Sequence, residues 1–336
     1  MVPPIIDRRQ ALAFRQHASN LHRRLPRGKL AEAAFAGLQD SSPRSAVLAL
    51  HARVVAVSPS AWEDPQLAQI WGPRGADYVV PKTDVALFTI GRMPRDPSRR
   101  ATIESAMERI EGVLHMRQTR GGRGSYAVLG QYARDLRIAS ITGRLRIRWD
   151  GSRIEWWTVD PPSEDHEWAR LELALRFLKS LGPSTPAGFA WWSGGTMSDA
   201  KSTFRSLDGE LSEVKMAGLQ SWVLKEDRVS LEHISTAATV RLLPAGDPYL
   251  CAADRDFLLP HPHLRAELWP KSVWPGALFV HGELVGTWRR SQGRVIISPW
   301  RKFPSEIMEA VEREVQRMPI ESKKKEVRWQ PPLEPQ

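Results

Sequence analysis

Apolar positions along the chain switch between two periods, and the switches mark its organisation. From position 7 to about 24 they return every three or four residues. Ala11, Phe14, Ala18 and Leu21 share one side, and Arg8, Arg9, Arg15, Arg23 and Arg24 the other, the pattern of an amphipathic helix. Its basic side fits either a phosphate-facing surface or a solvated face. Further helices are predicted over 29–38 and 43–57. The second is opened by Ser41-Ser42-Pro43, a hydroxyl at the N-cap and a proline at the first helical position, and carries Val47, Leu50 and Val54 on one face. Gln39 then falls in a joint beside a helix N-terminus with unpaired N–H groups, a place that can hold phosphate or orient a water. An ordinary helix–helix connection reads the same way.

A shorter helix is predicted at 65–71, stopped by Gly72-Pro73, then a turn from Arg74 into a strand ending at Pro81. An apolar stretch covers 84–90. Asp96-Pro97 opens a helix to about Met116, with Ile103, Met107, Ile110 and Leu114 on one face. The loop 117–125 sets Arg117, Arg120 and Arg123 among glycines, so it can lie along phosphates or be a plain connection. After a helix at 129–139, LRIRWDGSRIEWWTV (145–159) alternates on both sides of Asp150-Gly151, a pair suited to a type I′ turn.

The segment 164–226 is the most legible. A helix at 164–181 with Leu171, Leu175 and Leu178 along its stripe ends at Gly182-Pro183, the glycine read as a left-handed cap. Thr185-Pro186 opens a short helix to Trp192, Gly194-Gly195 turns the chain, and a helix at 198–207 exposes Lys201 and Arg205. Strands at 211–216 and 219–224 flank Ala217-Gly218. Helix, helix, tight turn, helix, hairpin is the order of a winged helix. The hairpin at 145–159 points to a second copy, and the first ninety residues to a third. Short strands at 278–280, 284–289 and 295–298 form a β-meander. Phe303-Pro304 introduces a last helix with Ile307, Val311 and Val315 on its face, and from Ser322 the chain reads as a disordered tail.

Lys and Arg outnumber Asp and Glu by 48 to 38, a net charge of +10, which favours a polyanionic partner, nucleic acid before membrane. One cysteine, Cys251, excludes a disulfide framework and a thiolate zinc site and agrees with a reducing cytoplasm. There is no signal-peptide pattern, and no window approaches the ~18 apolar residues of a membrane span. Phosphate-loop, nucleophile-elbow and zinc-protease motifs are absent. His261-Pro262-His263 reads as surface rather than metal ligation, and Trp156-Trp157 and Trp191-Trp192 as core or inter-domain packing, with base stacking as the lesser alternative. No metal or cofactor is expected.

AGLQDSSPRSAVLALHAR (36–53), IWGPRGADYVVP (70–81), ARLELALRFLKSLGPSTPAGFAWWSG (169–194), RLLPAGDPYLCAADR (241–255) and VHGELVGTWRR (280–290) stand in the order found in the AlkZ/YcaQ group. The chain resembles that family, bacterial winged-helix proteins that include DNA glycosylases acting on alkylated bases and interstrand crosslinks. The resemblance implies an α+β fold of three tandem winged helix-turn-helix domains (1–92, 93–162, 163–235) around a concave DNA-binding face. A β-rich, barrel-like domain (236–320) and a tail (321–336) follow. It implies a glycosylase-like monomer on double-stranded DNA, cytoplasmic and nucleoid-associated. In active members a Gln, an apolar residue and then Gln or Asp position the attacking water. The matching residues are Gln39, Asp40 and Ser41, and Tyr78 stands where the family has a histidine. Asp40 has the chemistry of a general base but sits one place early. Candidate catalytic residues are therefore Gln39, Asp40 and Ser41. Candidate DNA contacts are Arg44, Arg74, Tyr78, Arg120, Arg123, Lys201 and Arg205. The alternative is a winged-helix protein that binds DNA, as damage binder or regulator, without the chemistry.

Overall fold

In the computed structural model, which describes residues 2–42, 44–114, 119–120, 129–291, 293–320 and 325–333, helices and strands interleave along the chain. The strands in the first half are β1 (Ile5–Ile6), β2 (Leu38–Gln39), β3 (Leu67–Trp71), β4 (Asp77–Pro81), β5 (Thr119–Arg120), β6 (Leu145–Trp149) and β7 (Ile154–Thr158). Those in the second half are β8 (Leu211–Met216), β9 (Leu219–Leu224), β10 (Val240–Leu243), β11 (Gly276–Val280), β12 (Glu283–Ser291), β13 (Arg294–Pro299) and β14 (Glu326–Trp329). Among the described residues they form three three-stranded sheets, β1-β8-β9, β2-β4-β3 and β5-β7-β6, and one five-stranded sheet in the order β10-β11-β12-β13-β14. The class is α+β, as the pattern predicts.

Where the sequence signal is strongest, structure follows it. The helix Pro97–Leu114 buries Ile103, Met107, Ile110 and Leu114. The hairpin β8–β9 turns at Ala217 and Gly218, both with positive φ (51° and 77°), as a type I′ turn requires. The helix His166–Leu181 is capped by the Asp165 carboxylate, which accepts the N–H groups of Glu167 and Trp168. Its buried face is rotated from the predicted stripe. Ala169, Leu173, Ala174, Phe177 and Leu178 are inside, while Leu171 and Leu175 are only partly covered. Other backbone comes close at Ala169: a Cβ on Gly91 would lie 2.7 Å from the Ala169 carbonyl oxygen. Gly182 is extended rather than left-handed; it is glycine for space, since a Cβ there would meet the Leu178 carbonyl at 2.4 Å.

Other predicted elements give way to long-range pairing. The stretch 65–71 is a turn followed by β3, zipped to β4 from Leu67–Pro81 to Trp71–Asp77. A short apolar run carries too little periodicity to separate helix from strand. The helix predicted at 29–38 is one turn, Leu30–Ala33, after which the chain becomes β2. The 43–57 helix begins later, at Ser45, behind a left-handed Arg44 (φ 64°); Pro43 lies outside the described residues. The β6–β7 loop is longer than a two-residue turn, because the Asp150 side chain accepts the N–H groups of Ser152 and Arg153.

The first residues fasten distant parts together. β1 runs parallel to β8, and Ile6, Ala11 and Phe14 share a core with Val214, Met216, Val223 and Leu231. The basic stripe of the helix Arg8–Ala18 is largely neither phosphate-facing nor solvated. Arg15, fully buried, forks onto Asp254 at 2.7 and 3.1 Å, Arg8 pairs with Glu283 at 2.8 Å, and Arg24 pairs with Glu314 beyond the helix. Arg9 and Arg23 remain exposed.

The C-terminal sheet is open, not a barrel. Strand β14 adds in parallel to β13 and extends that edge instead of reaching β10. The segment expected to be a disordered tail thus supplies a strand at 326–329, with Val327 and Trp329 packed against the core that also holds Val311 and Val315 of the helix Ser305–Arg317. Among the described residues no helix is long and apolar enough to cross a membrane.

Candidate active site

Strand β2 is two residues long and takes its direction from β4: Leu38 pairs with Val79, and Gln39 with Tyr78. Successive side chains of an extended segment point to opposite sides, which puts Gln39 and Ser41 on one side and Asp40 on the other. Gln39 Nε2 donates to Ser41 Oγ at 3.2 Å. Gln39 Oε1 lies 3.8 Å from Cys251 Sγ, 212 positions away in the chain. The same side chain rests on Gly246 (φ 76°), where a Cβ would come within 3.2 Å of Gln39 Cδ. That turn is anchored by Asp247, whose buried carboxylate takes two amino groups of Arg53 at 2.7 Å each and the Tyr249 N–H at 3.0 Å. An anchored loop from the C-terminal part therefore braces one partly exposed amide on the β2-β4-β3 sheet.

Asp40 does something else. Its side chain is 1 % exposed. One carboxylate oxygen accepts the Ala46 N–H at 2.9 Å, capping the helix Ser45–Arg53, and the other takes Arg44 Nη1 at 3.1 Å. Burial pushes its pKa up to about 7, against the opposing pull of the Ala46 N–H and the Arg44 charge. The expected hydroxyl cap at 41–42 is displaced by this carboxylate. Asp40, a catalytic candidate on sequence, faces the helix and not the amide of Gln39.

Two of the expected DNA contacts are engaged within the protein. Tyr78 is buried, its ring so close to Gly72 that a Cβ there would meet Cδ2 at 2.8 Å, and burial pushes its hydroxyl well above the ordinary phenol range. It is the floor under Gln39, not a surface contact. Arg44 donates to the Trp149 carbonyl at 2.9 Å and lies 3.9 Å from the Trp62 ring centre, so it ties the first sheet to β6. A cleft of about 780 Å³ opens beside it, lined by Trp62, Asp150 and Arg290 among others.

Arg74 lies against the Tyr78 hydroxyl and the Cys251 sulfur, donates to the Trp192 carbonyl at 3.2 Å and stacks 4.5 Å from Trp191. Like Arg44, it has a positive φ (57°), a conformation that non-glycine residues adopt at a cost and that functional sites enrich. Lys201 and Arg205 are exposed on the helix Met197–Ser206 and form no ion pair among the described residues. The side chain of Arg120 and all of Arg123 lie outside the described residues.

A family model for the AlkZ-like DNA glycosylases matches residues 33–319. The chain belongs to the AlkZ-like DNA glycosylase family. It is 26 % identical over 165 residues to the interstrand DNA cross-link repair glycosylase of Streptomyces sahachiroi, a match covering 48 % of this chain and 43 % of that protein. The match thus spans less than half the length of the curated relative. The solved Streptomyces sahachiroi DNA glycosylase AlkZ superposes with a TM-score of 0.78 over 97 % of this chain and 100 % of that one, at 19 % identity, a likeness of fold.

In this AlkZ-like chain the structure adds residues that local sequence did not single out. Gly246 and Cys251 contact the Gln39 side chain, and nothing in their own stretch ties them to it. Of the Trp191-Trp192 pair, read as packing, Trp192 is buried against Phe177 (5.4 Å between ring centres), but Trp191 is 36 % exposed and faces arginines. Arg255 carried no signal beyond its place in the 241–255 block.

Proposed function

We propose that this AlkZ-like protein hydrolyses the N-glycosidic bond of N7-alkylated or crosslinked purines in double-stranded DNA, with Gln39 and Ser41 holding the water. The observation that carries this reading is the pairing of the Gln39 amide with the Ser41 hydroxyl on one side of β2, above Tyr78 and braced by Gly246. An N7-alkylated purine is already a cationic leaving group. Its C1′–N9 bond can break with the electron pair going to the ring, so no acid is required. What remains is to place a water on C1′; its proton passes to solvent as the sugar cation is quenched. An amide oxygen and a hydroxyl can place that water without serving as a strong base.

On the same reading each three-stranded sheet is the wing of a winged helix, and the three line a basic face for the duplex. Lys201 and Arg205 present charge there, and the protein acts as a monomer at the nucleoid. The second reading, a DNA-binding protein without excision, draws on the withdrawal of Asp40, which leaves the motif no carboxylate beside Gln39. A single-turnover assay on duplex carrying one N7-alkylguanine or a nitrogen-mustard crosslink, with alkaline cleavage at abasic sites, separates the two. Lesion-dependent scission supports the hydrolase. Binding without scission, on both substrates, supports the binder.

A further inference from the structure

Arg255 lies beyond Cys251 on the loop that braces Gln39, and it is held in an unusual way. Its guanidinium carbon is 4.7 Å from the ring centre of Trp274, 4.9 Å from Trp269 and 5.4 Å from Trp191. Cation–π attraction to rings holds a guanidinium without giving its N–H groups a conventional acceptor. Among the described residues the Arg255 side chain makes no hydrogen bond and no ion pair, and its buried Nε has no acceptor. The adjacent acid, Asp254, is committed to Arg15.

Trp191 also carries Arg74, 4.5 Å from its ring centre. Two guanidinium groups therefore share one exposed tryptophan, with no carboxylate on either among the described residues, and Arg74 in turn lies against Cys251 beside Gln39. Burial, and the neighbouring Arg74 charge, lower the Arg255 pKa. Such a cluster lacks an anion. It does not suit a cationic lesion base or the developing positive charge on the sugar, both of which two arginines would repel. It suits a phosphodiester, whose two free oxygens match the edge of a guanidinium.

The geometry points to a phosphate seat: Arg255, fixed by Trp191, Trp269 and Trp274, grips with Arg74 one backbone phosphate of the strand whose base is presented to Gln39. This rests on the proposed action on DNA. Its role is to set the register of the strand, so that C1′ comes to the water.

The test is equilibrium binding of the full chain to lesion duplexes in which one phosphate at a time is replaced by an uncharged methylphosphonate. Wild type should lose about tenfold in affinity at one position near the lesion. Arg255→Gln should bind the unmodified duplex about tenfold more weakly, show a clearly reduced further loss at that position, what remains being the Arg74 contact, and lower the salt slope of log K by about one. Arg255→Lys keeps the charge but not the fork, so it should keep most of the slope and show a smaller loss at that position; it serves if the Gln variant does not fold. Undiminished sensitivity at every position in both variants, or an unchanged slope in Arg255→Gln, would overturn the seat. Failure of wild type to bind duplex overturns the seat together with the proposed function. Binding without excision leaves the seat standing and removes only the hydrolase.

Discussion

Asp40 and Ala46 are joined by a 2.9 Å hydrogen bond from the Ala46 N–H to the Asp40 carboxylate. That bond makes the central residue of the motif a helix cap and separates it from Gln39. It also leaves a pH signature. The pKa of Asp40 is raised from 3.8 to about 7 by burial, so between those values the folded chain holds a proton that the unfolded chain has released. The contribution of Asp40 to stability is then greatest at low pH, falls as pH rises from about 4 to about 7, and is level above that. Asn caps a helix as well as Asp and does not titrate. Relative to Asp40→Asn, wild type should lose on the order of 3 kcal/mol between pH 4.5 and pH 8. Denaturant titrations of both proteins at the two pH values check this; parallel behaviour would mean that Asp40 is not buried as a cap.

Gly246→Ala should act through Gln39. The new Cβ would stand 3.2 Å from Gln39 Cδ, and alanine at a φ of 76° adds about 1–2 kcal/mol of strain. Excision should slow at least tenfold while duplex affinity stays within about threefold, because the misplaced group contacts the reacting centre and not the phosphates. Single-turnover rates beside a binding isotherm give both numbers.

The Arg53–Asp247 fork behind the site is buried, with side chains 3 % and 0 % exposed. Removing one partner strands the other charge inside. Asp247→Ala should cost roughly 3–5 kcal/mol, measured by chemical denaturation. Loss of under about 1 kcal/mol would show that the loop is held by other contacts.

Lys201 and Arg205 should behave oppositely, costing nothing in stability and something in binding. Both are exposed and in no ion pair among the described residues. Replacing each by alanine should leave Tm unchanged and lower the salt slope of duplex binding by about one per residue. An unchanged slope would take the helix Met197–Ser206 off the DNA face.

What the sequence discloses of this fold depends on how far apart the deciding partners lie. The hairpin 211–224 could be read because alternation, Ala217 and Gly218 all sit within it. Strand β2 could not, because two residues have no periodicity and its existence rests on Tyr78 and Val79. The opposite facing of Gln39 and Asp40 follows from any extended backbone, but only once the helix ending at 38 is given up. Arg15 looked like surface on a helical wheel because its partner Asp254 is 239 positions away. The strand at 326–329 was hidden by composition; charged and proline-rich residues pair readily when an edge such as β13 offers the backbone. Candidate chemistry was legible as residue types at positions 39–41, and illegible as directions.

The most direct measurement is single-turnover excision of N7-alkylguanine from duplex by wild type, Gln39→Ala and Asp40→Asn, with binding followed in the same reactions. Gln39→Ala should abolish excision with affinity nearly intact, and Asp40→Asn should excise within a few-fold of wild type. Excision that survives Gln39→Ala but is lost in Asp40→Asn, at equal binding, would place the chemistry on the buried carboxylate and contradict the assignment of the water to Gln39 and Ser41.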